Sequence, residues 1–244
     1  MKSLPCQIEK LSVAYHDRVV VHHADLALPA GEVMAILGPN GAGKSTIIKA
    51  SLGLIPPLAG DVKFFGSPLS KVRTRVGYMP QSAEVDWDFP TTVADAVQMG
   101  AYGRIGWLGR MGREHKKEVR AALETVGIAD LADRQISQLS GGQKQRTFMA
   151  RILMQAPDLY IMDEPFAGVD AASERAIMGA LAKLKEMGKT ILIVHHDLAS
   201  VKKFCSYITL MNAGNVVASG PIETAFTAEN LRKAYGFDEN MVTA

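Results

Sequence analysis

The sequence predicts an α/β fold: a P-loop core with a mostly parallel sheet, an antiparallel β edge and an inserted helical lobe. Three observations predict it. A short apolar run, Val33–Leu37 (VMAIL), leads into the glycine-rich stretch Gly38–Thr46 (GPNGAGKST) and then into a helical pattern over Lys44–Leu54. Three more runs, Leu159–Met162, Thr190–Val194 and Tyr207–Met211, are apolar without alternation, as strands covered on both faces require. Between these groups, from about Ala83 to Ala156, the pattern turns helical, most clearly over Val93–Met99 and Lys116–Val126.

The elements follow in order. Residues 7–30 read as paired strands, with Leu11, Val13 and Tyr15 alternating with Ser12 and Ala14, and Leu26 and Leu28 flanking Ala27. Pro29-Ala30-Gly31 turns the chain into Val33–Leu37. The next stretch fits Gly, four residues, then Gly-Lys-Ser/Thr: Gly38, Pro39, Asn40, Gly41, Ala42, Gly43, Lys44, Ser45 and Thr46. Its glycines let backbone N–H groups converge on a phosphate tail. Lys44 brings an ammonium to the β- and γ-phosphates, Ser45 offers a hydroxyl to magnesium, and the helix N-terminus supplies a positive dipole end. Asp61–Phe65 (DVKFF) reads as a further strand, and Val76–Met79 as a short one closed by Pro80. The segment 103–113 (GRIGWLGRMGR) reads as a solvated loop, with a membrane-facing or partner-facing role for Trp107 and Leu108 as the other reading. Ala172–Met187 is a helix between core strands, and the tail from Asn215 holds a hairpin and one or two helices. The expected organisation is one nucleotide-binding domain over 1–244: core at about 1–82 and 157–218, helical lobe at about 83–156, and a short tail at 219–244.

Composition narrows the class. The 244 residues carry a formal net charge of +2, which gives no strong pull toward nucleic acid. Two cysteines, Cys6 and Cys205, lie far apart and form neither a metal spacing nor a disulfide framework. No apolar run is long enough to span a bilayer, and the N-terminus does not read as a signal peptide. The chain is therefore expected to act in the cytosol or to dock on something in the membrane.

Further motifs carry the chemistry. The apolar strand Leu159–Met162 ends in Asp163-Glu164, two acids at the C-terminal edge of a parallel sheet, where α/β folds bind ligands. Asp163 suits a direct or water-mediated magnesium contact, and Glu164 suits polarising an attacking water. Leu139–Gln143 reads LSGGQ, a Ser-Gly-Gly turn opening a helix at about Gly142–Gln155, with Phe148, Met149, Ile152 and Leu153 on one face. Ser140, Gly141, Gly142 and Gln143 thus form a second anion-ready helix end.

This set resembles the ATP-binding cassette (ABC) ATPases over roughly residues 7–236. Gln81 matches the glutamine loop, Asp170 in Ala167-Gly168-Val169-Asp170 the aspartate position after the acid pair, and His196 the switch histidine. Tyr15 matches the aromatic that stacks on adenine. Taken singly, Gln81 would be a surface polar residue, His196 a loop histidine and Tyr15 an ordinary strand aromatic; their joint order lifts them.

The resemblance implies ATP and magnesium as cofactors, with Ser45, Gln81 and Asp163 toward magnesium and Glu164, His196 and Gln81 at the reacting γ-phosphate. It also implies a head-to-tail homodimer in which the P-loop of one copy and the LSGGQ of the other hold each ATP. One P-loop and one signature per chain point to the separate ATPase subunit of a bacterial transporter, peripheral on the cytoplasmic face of the inner membrane. Its partners would be integral-membrane permease subunits and, indirectly, an extracytoplasmic metal-binding protein, and not nucleic acid. The stretches Glu84–Thr91 (EVDWDFPT), Glu164–Asp170 (EPFAGVD) and His195-His196-Asp197 are similar to those of manganese, zinc and iron importers, manganese first. An importer of another cargo such as an iron chelate, an exporter, and a non-transport ABC ATPase are the alternatives. Trp87 and Phe89 would form a groove for a permease helix or, on the other reading, pack the lobe onto the core.

Overall fold

The computed structural model describes residues 3–81, 84–106 and 112–236. In chain order the strands are β1 (Cys6–Tyr15), β2 (Arg18–Leu28), β3 (Val33–Leu37), β4 (Ala59–Lys63), β5 (Val76–Met79), β6 (Leu159–Asp163), β7 (Thr190–Val194), β8 (Tyr207–Asn212) and β9 (Asn215–Pro221). The α-helices are α1 (Lys44–Ser51), α2 (Leu69–Val72), α3 (Val93–Gln98), α4 (Tyr102–Ile105), α5 (Arg113–Thr125), α6 (Gly141–Gln155), α7 (Ala171–Glu186), α8 (Leu198–Phe204), α9 (Ile222–Ala225) and α10 (Ala228–Tyr235). They divide into two compact units, one made of residues 1–72 and 188–244, the other of 73–187.

In the first unit β3 runs parallel to both β7 and β8, and β9 closes that edge antiparallel to β8. All five residues of β3 and of β7 are buried, which explains their unbroken apolar sequences. The N-terminal strands depart from the expected arrangement. They form a separate antiparallel sheet in the order β2-β1-β4, rather than the edge of the parallel one. Val21, Ala24, Leu26 and Leu28 are buried while their neighbours in β2 face outward, the alternation of a one-sided sheet. The strand expected at Asp61–Phe65 lies two residues earlier, because pairing with β1 sets its register: Gln7 opposes Lys63 and Ile8 opposes Val62. Phe64 instead makes an isolated bridge with Ser67.

The β8–β9 turn is tied back to this part of the chain. His22 N–H donates to Gly214 O at 2.8 Å, and Gly214 N–H donates to Ala42 O at 3.1 Å. Gly214 has φ 80°, and a Cβ there would stand 2.5 Å from Val20 O, so only glycine fits the passage.

In the second unit β5 and β6 pair in parallel, Val76 against Leu159 and Met79 against Met162. Helices α3, α5 and α6 pack together. On α5 only Val119, Ala122 and Leu123 are buried, the narrow apolar stripe of a surface helix. Helix α6 differs from the expected single face. Met149 and Ile152 are buried, but so are Gln145, Thr147, Ala150 and Met154, while Phe148 and Leu153 are only partly covered. A helix covered on several sides buries polar as well as apolar positions. The stretch expected to be a loop at 103–113 holds the end of α4 and the first residue of α5, and Trp107 and Leu108 lie outside the described residues.

Candidate nucleotide site

In the first unit the chain leaves β3 at Leu37 and enters the glycine-rich loop. Gly38 packs so closely on Met211 O that a Cβ there would overlap it. Lys44 opens α1 and is 6% exposed. Its Nζ donates to Gly38 O at 2.9 Å and Pro39 O at 3.0 Å, so the ammonium lies folded over the loop. Gly43 precedes α1 in a left-handed conformation, no side chain caps the helix, and no acid stands in its first turn. Such an end presents backbone N–H groups and a positive dipole to an anion. Tyr15 ends β1 at 43% exposure, consistent with a stacking surface.

The residues after β7 belong to the same unit. His195 N–H donates to Ile36 O at 3.1 Å, which anchors the start of the His195–Asp197 loop to β3. His195 is buried, and its ring meets that of His196 edge-on at 5.5 Å. Burial pulls its pKa from 6.5 to about 4, the neighbouring His196 adds to this, and Asp197 opposes it. The His195 imidazole is therefore neutral at neutral pH. Asp197 caps α8 through the N–H groups of Ala199 and Ser200 and accepts a bond from the Ser200 hydroxyl. These bonds, that of the hydroxyl first, hold its carboxyl below the usual range.

The second unit gathers Gln81, Asp163, Glu164, Asp170 and the LSGGQ turn. Asp163 closes β6 fully buried. Glu164 follows with φ 51°, left-handed for a residue with a side chain. Gln81 Nε2 donates to Glu164 Oε2 at 3.0 Å. Glu164 O accepts from Ala167 N–H at 3.1 Å and from Gln145 Nε2 at 3.3 Å. Ser140 caps α6: its Oγ accepts from Gln143 N–H at 3.3 Å, while Gln143 Oε1 accepts from Ser140 N–H at 2.9 Å. Each of these two side chains thus accepts from the other residue's backbone N–H, and the N–H groups of Gly141 and Gly142 lie in the first turn, where a helix has no internal acceptor for them. Asp170 caps α7 by accepting Ser173 N–H at 2.7 Å, and that bond together with the Ser173 side chain lowers its pKa. A Cβ on Gly142 would stand 3.1 Å from Ser173 Cβ, so the LSGGQ turn and the start of α7 meet at the smallest residue.

Ser45 in the first unit, and Gln81 and Asp163 in the second, carry hydroxyl, carboxamide and carboxylate oxygens, the kind of hard donor that fits magnesium. Neither Gln145 nor Ser173 was among the site residues expected from the sequence. Gln145 follows the LSGGQ signature directly, in the run Lys144-Gln145-Arg146, which is the one signal in the sequence that could have found it.

A parallel sheet, a P-loop opening a helix and an acid pair at a strand end define a nucleotide-binding P-loop ATPase. Residues 21–167 match the family described as ABC transporter, and the chain belongs to that family. It is 53% identical over 232 residues to the manganese transport system ATP-binding protein MntB of Bacillus subtilis (strain 168), covering 95% of this chain and 92% of that one. It is 52% identical over 230 residues to the zinc transport system ATP-binding protein TroB of Treponema pallidum (strain Nichols), covering 94% and 86%. Among solved structures it is similar to cbiO1 from Clostridium perfringens, part of the ABC transporter complex cbiONQ, with TM-score 0.76, 30% identity and coverage of 95% and 94%.

Proposed function

We propose that this chain is the ATP-hydrolysing subunit of a bacterial importer for a divalent transition metal, manganese first, then zinc or iron. The observation that carries the hydrolytic part is Glu164, whose carboxylate is held by Gln81 at the edge of the parallel strands. The cargo reading is supported by relatives of manganese and zinc transport systems that are about half identical over nearly the whole chain. Lys44 and the loop N–H groups bind the β- and γ-phosphates, and Tyr15 stacks on the adenine. Glu164 orients the attacking water and His196 contacts the γ-phosphate. Ser45, Asp163 and Gln81 would hold magnesium, which when bound neutralises the charge on the phosphate oxygens. Ser140–Gln143 of one copy faces the nucleotide on the P-loop of another, so that ATP closes a head-to-tail homodimer and its hydrolysis reopens it.

The chain works from the cytoplasmic face of the membrane, docked on permease subunits and supplied indirectly by an extracytoplasmic metal-binding protein. Among the described residues no helix is long and apolar enough to cross a bilayer, which suits a peripheral subunit. The second unit carries a cleft of about 250 Å³ lined by Arg73, Tyr78, Arg104, Phe148 and Arg151. Arg104 is already paired with Glu118 at 2.7 Å, and Arg73 and Arg151 suit a short permease helix that brings carboxylates. An iron-chelate cargo is the second reading. Elemental analysis of cells carrying the chain intact or as Glu164→Gln decides between them. Turnover of that variant falls about 10²-fold or more with ATP binding kept, and cell manganese, zinc or iron falls selectively. Unchanged metals under metal-limited growth would overturn the metal assignment, and near-normal turnover would remove Glu164 from its role.

A further inference from the structure

Glu164 holds a left-handed backbone angle at φ 51°. A residue with a side chain keeps such an angle only where its surroundings hold it there. Two groups grip the Glu164 carbonyl. One is local, the Ala167 N–H at 3.1 Å. The other comes from a different element, Gln145 Nε2 of α6 at 3.3 Å.

Gln145 is 1% exposed, and its Oε1 is buried without a hydrogen-bond partner. A half-satisfied buried amide costs stability that a methionine or leucine in the same space would not. Its one bond goes to the backbone of the residue that bears the proposed water-orienting carboxylate. We propose that Gln145 is a positioning residue for Glu164, joining the LSGGQ helix to the backbone that aims the carboxylate. This rests on the reading of Glu164 given above.

The consequence follows from the length of one helical turn. Gly141 and Gly142 open α6, and Gln145 lies one turn further on, roughly 5 Å along the axis. A stiff turn of this kind passes a displacement of the helix start to Glu164 O with little loss. Engagement of the signature turn by a nucleotide is thereby felt at the carboxylate of the same chain. Gln81 holds the far end of that side chain, so Glu164 is fixed at its carbonyl by α6 and at its carboxylate by the residue after Pro80.

The test is steady-state ATP hydrolysis by the full chain, comparing Gln145→Met, which conserves volume but cannot donate, with wild type, Glu164→Gln and the double variant. The expected result is a kcat about tenfold lower with KM for ATP unchanged. In the double variant the Met substitution adds no further loss to that of Glu164→Gln, because both act through one group. An unchanged kcat for Gln145→Met, a rise in KM alone, or full multiplication of the two losses overturns the proposal. If Gln145→Met does not fold, Gln145→Leu replaces it, and failure of both to fold assigns Gln145 to the core and overturns the proposal as well. Near-normal turnover of Glu164→Gln itself would instead sink the reading of the site, a separate outcome.

Discussion

Gln81 and Glu164, 83 positions apart in the chain, are joined by a side-chain hydrogen bond of 3.0 Å. The carboxylate proposed to orient water is therefore held by a residue also proposed to hold magnesium. Gln81→Ala releases the carboxylate and is expected to lower kcat about tenfold with ATP affinity kept. Gln81→Glu sets a second negative charge against it and lowers turnover further. Steady-state hydrolysis checks both, and an unchanged kcat in either contradicts the arrangement.

Gly142 has no room for a methyl group beside Ser173. Gly142→Ala is expected to cost about 1–3 kcal/mol by overpacking. Removing the Ser173 hydroxyl as Ser173→Ala recovers part of that loss. Melting temperatures of the two single variants and the double variant test this, and simple additivity would show that the two sites do not press on each other.

His195 gives the protein an acid-sensitive step. An unfolded chain takes up this proton near pH 6.5, the folded protein only near pH 4. Between those values the unfolded state binds more protons, so stability rises with pH through the window. The contribution is complete above pH 6.5 and is lost as pH falls toward 4. Denaturation curves from pH 4 to 7 should show the slope, and His195→Leu should flatten it.

Trp87 meets the Phe148 ring edge-on at 5.0 Å and lies under the Lys144 ammonium at 5.1 Å. Phe89 is 54% exposed. The pair expected to act together thus divides. Trp87→Ala is expected to lower the melting temperature through lost packing on α6. Phe89→Ala should leave stability within about 0.5 kcal/mol and reduce stimulation of hydrolysis by the permease. Equal effects of the two substitutions on melting would return them to a single role.

The strands were the most legible part of the sequence. Val33–Leu37, Val76–Met79 and Thr190–Val194 have the bounds read from their residues, because continuous apolar runs end abruptly at glycine, proline or histidine. The P-loop was legible because its chemistry is local: glycines, lysine and serine act within nine residues of chain. The grip on Glu164 was not, since Gln145 stands 19 positions away and nothing in a helical period marks which buried amide points at which carbonyl. The displaced β4 has a similar cause. Its bounds follow from pairing with β1, a register that the residues Asp61–Phe65 do not carry by themselves.

The turn at Gly214 makes the β8–β9 hairpin a strap tied to the glycine-rich loop. Two backbone bonds run from His22 through Gly214 to Ala42, so the link is made by main chain alone. A surface hairpin is ordinarily a convenient place to splice an epitope or fuse a reporter. Here such an insertion is expected to pull on Ala42 in the glycine-rich loop, so the hairpin is a poor place for it.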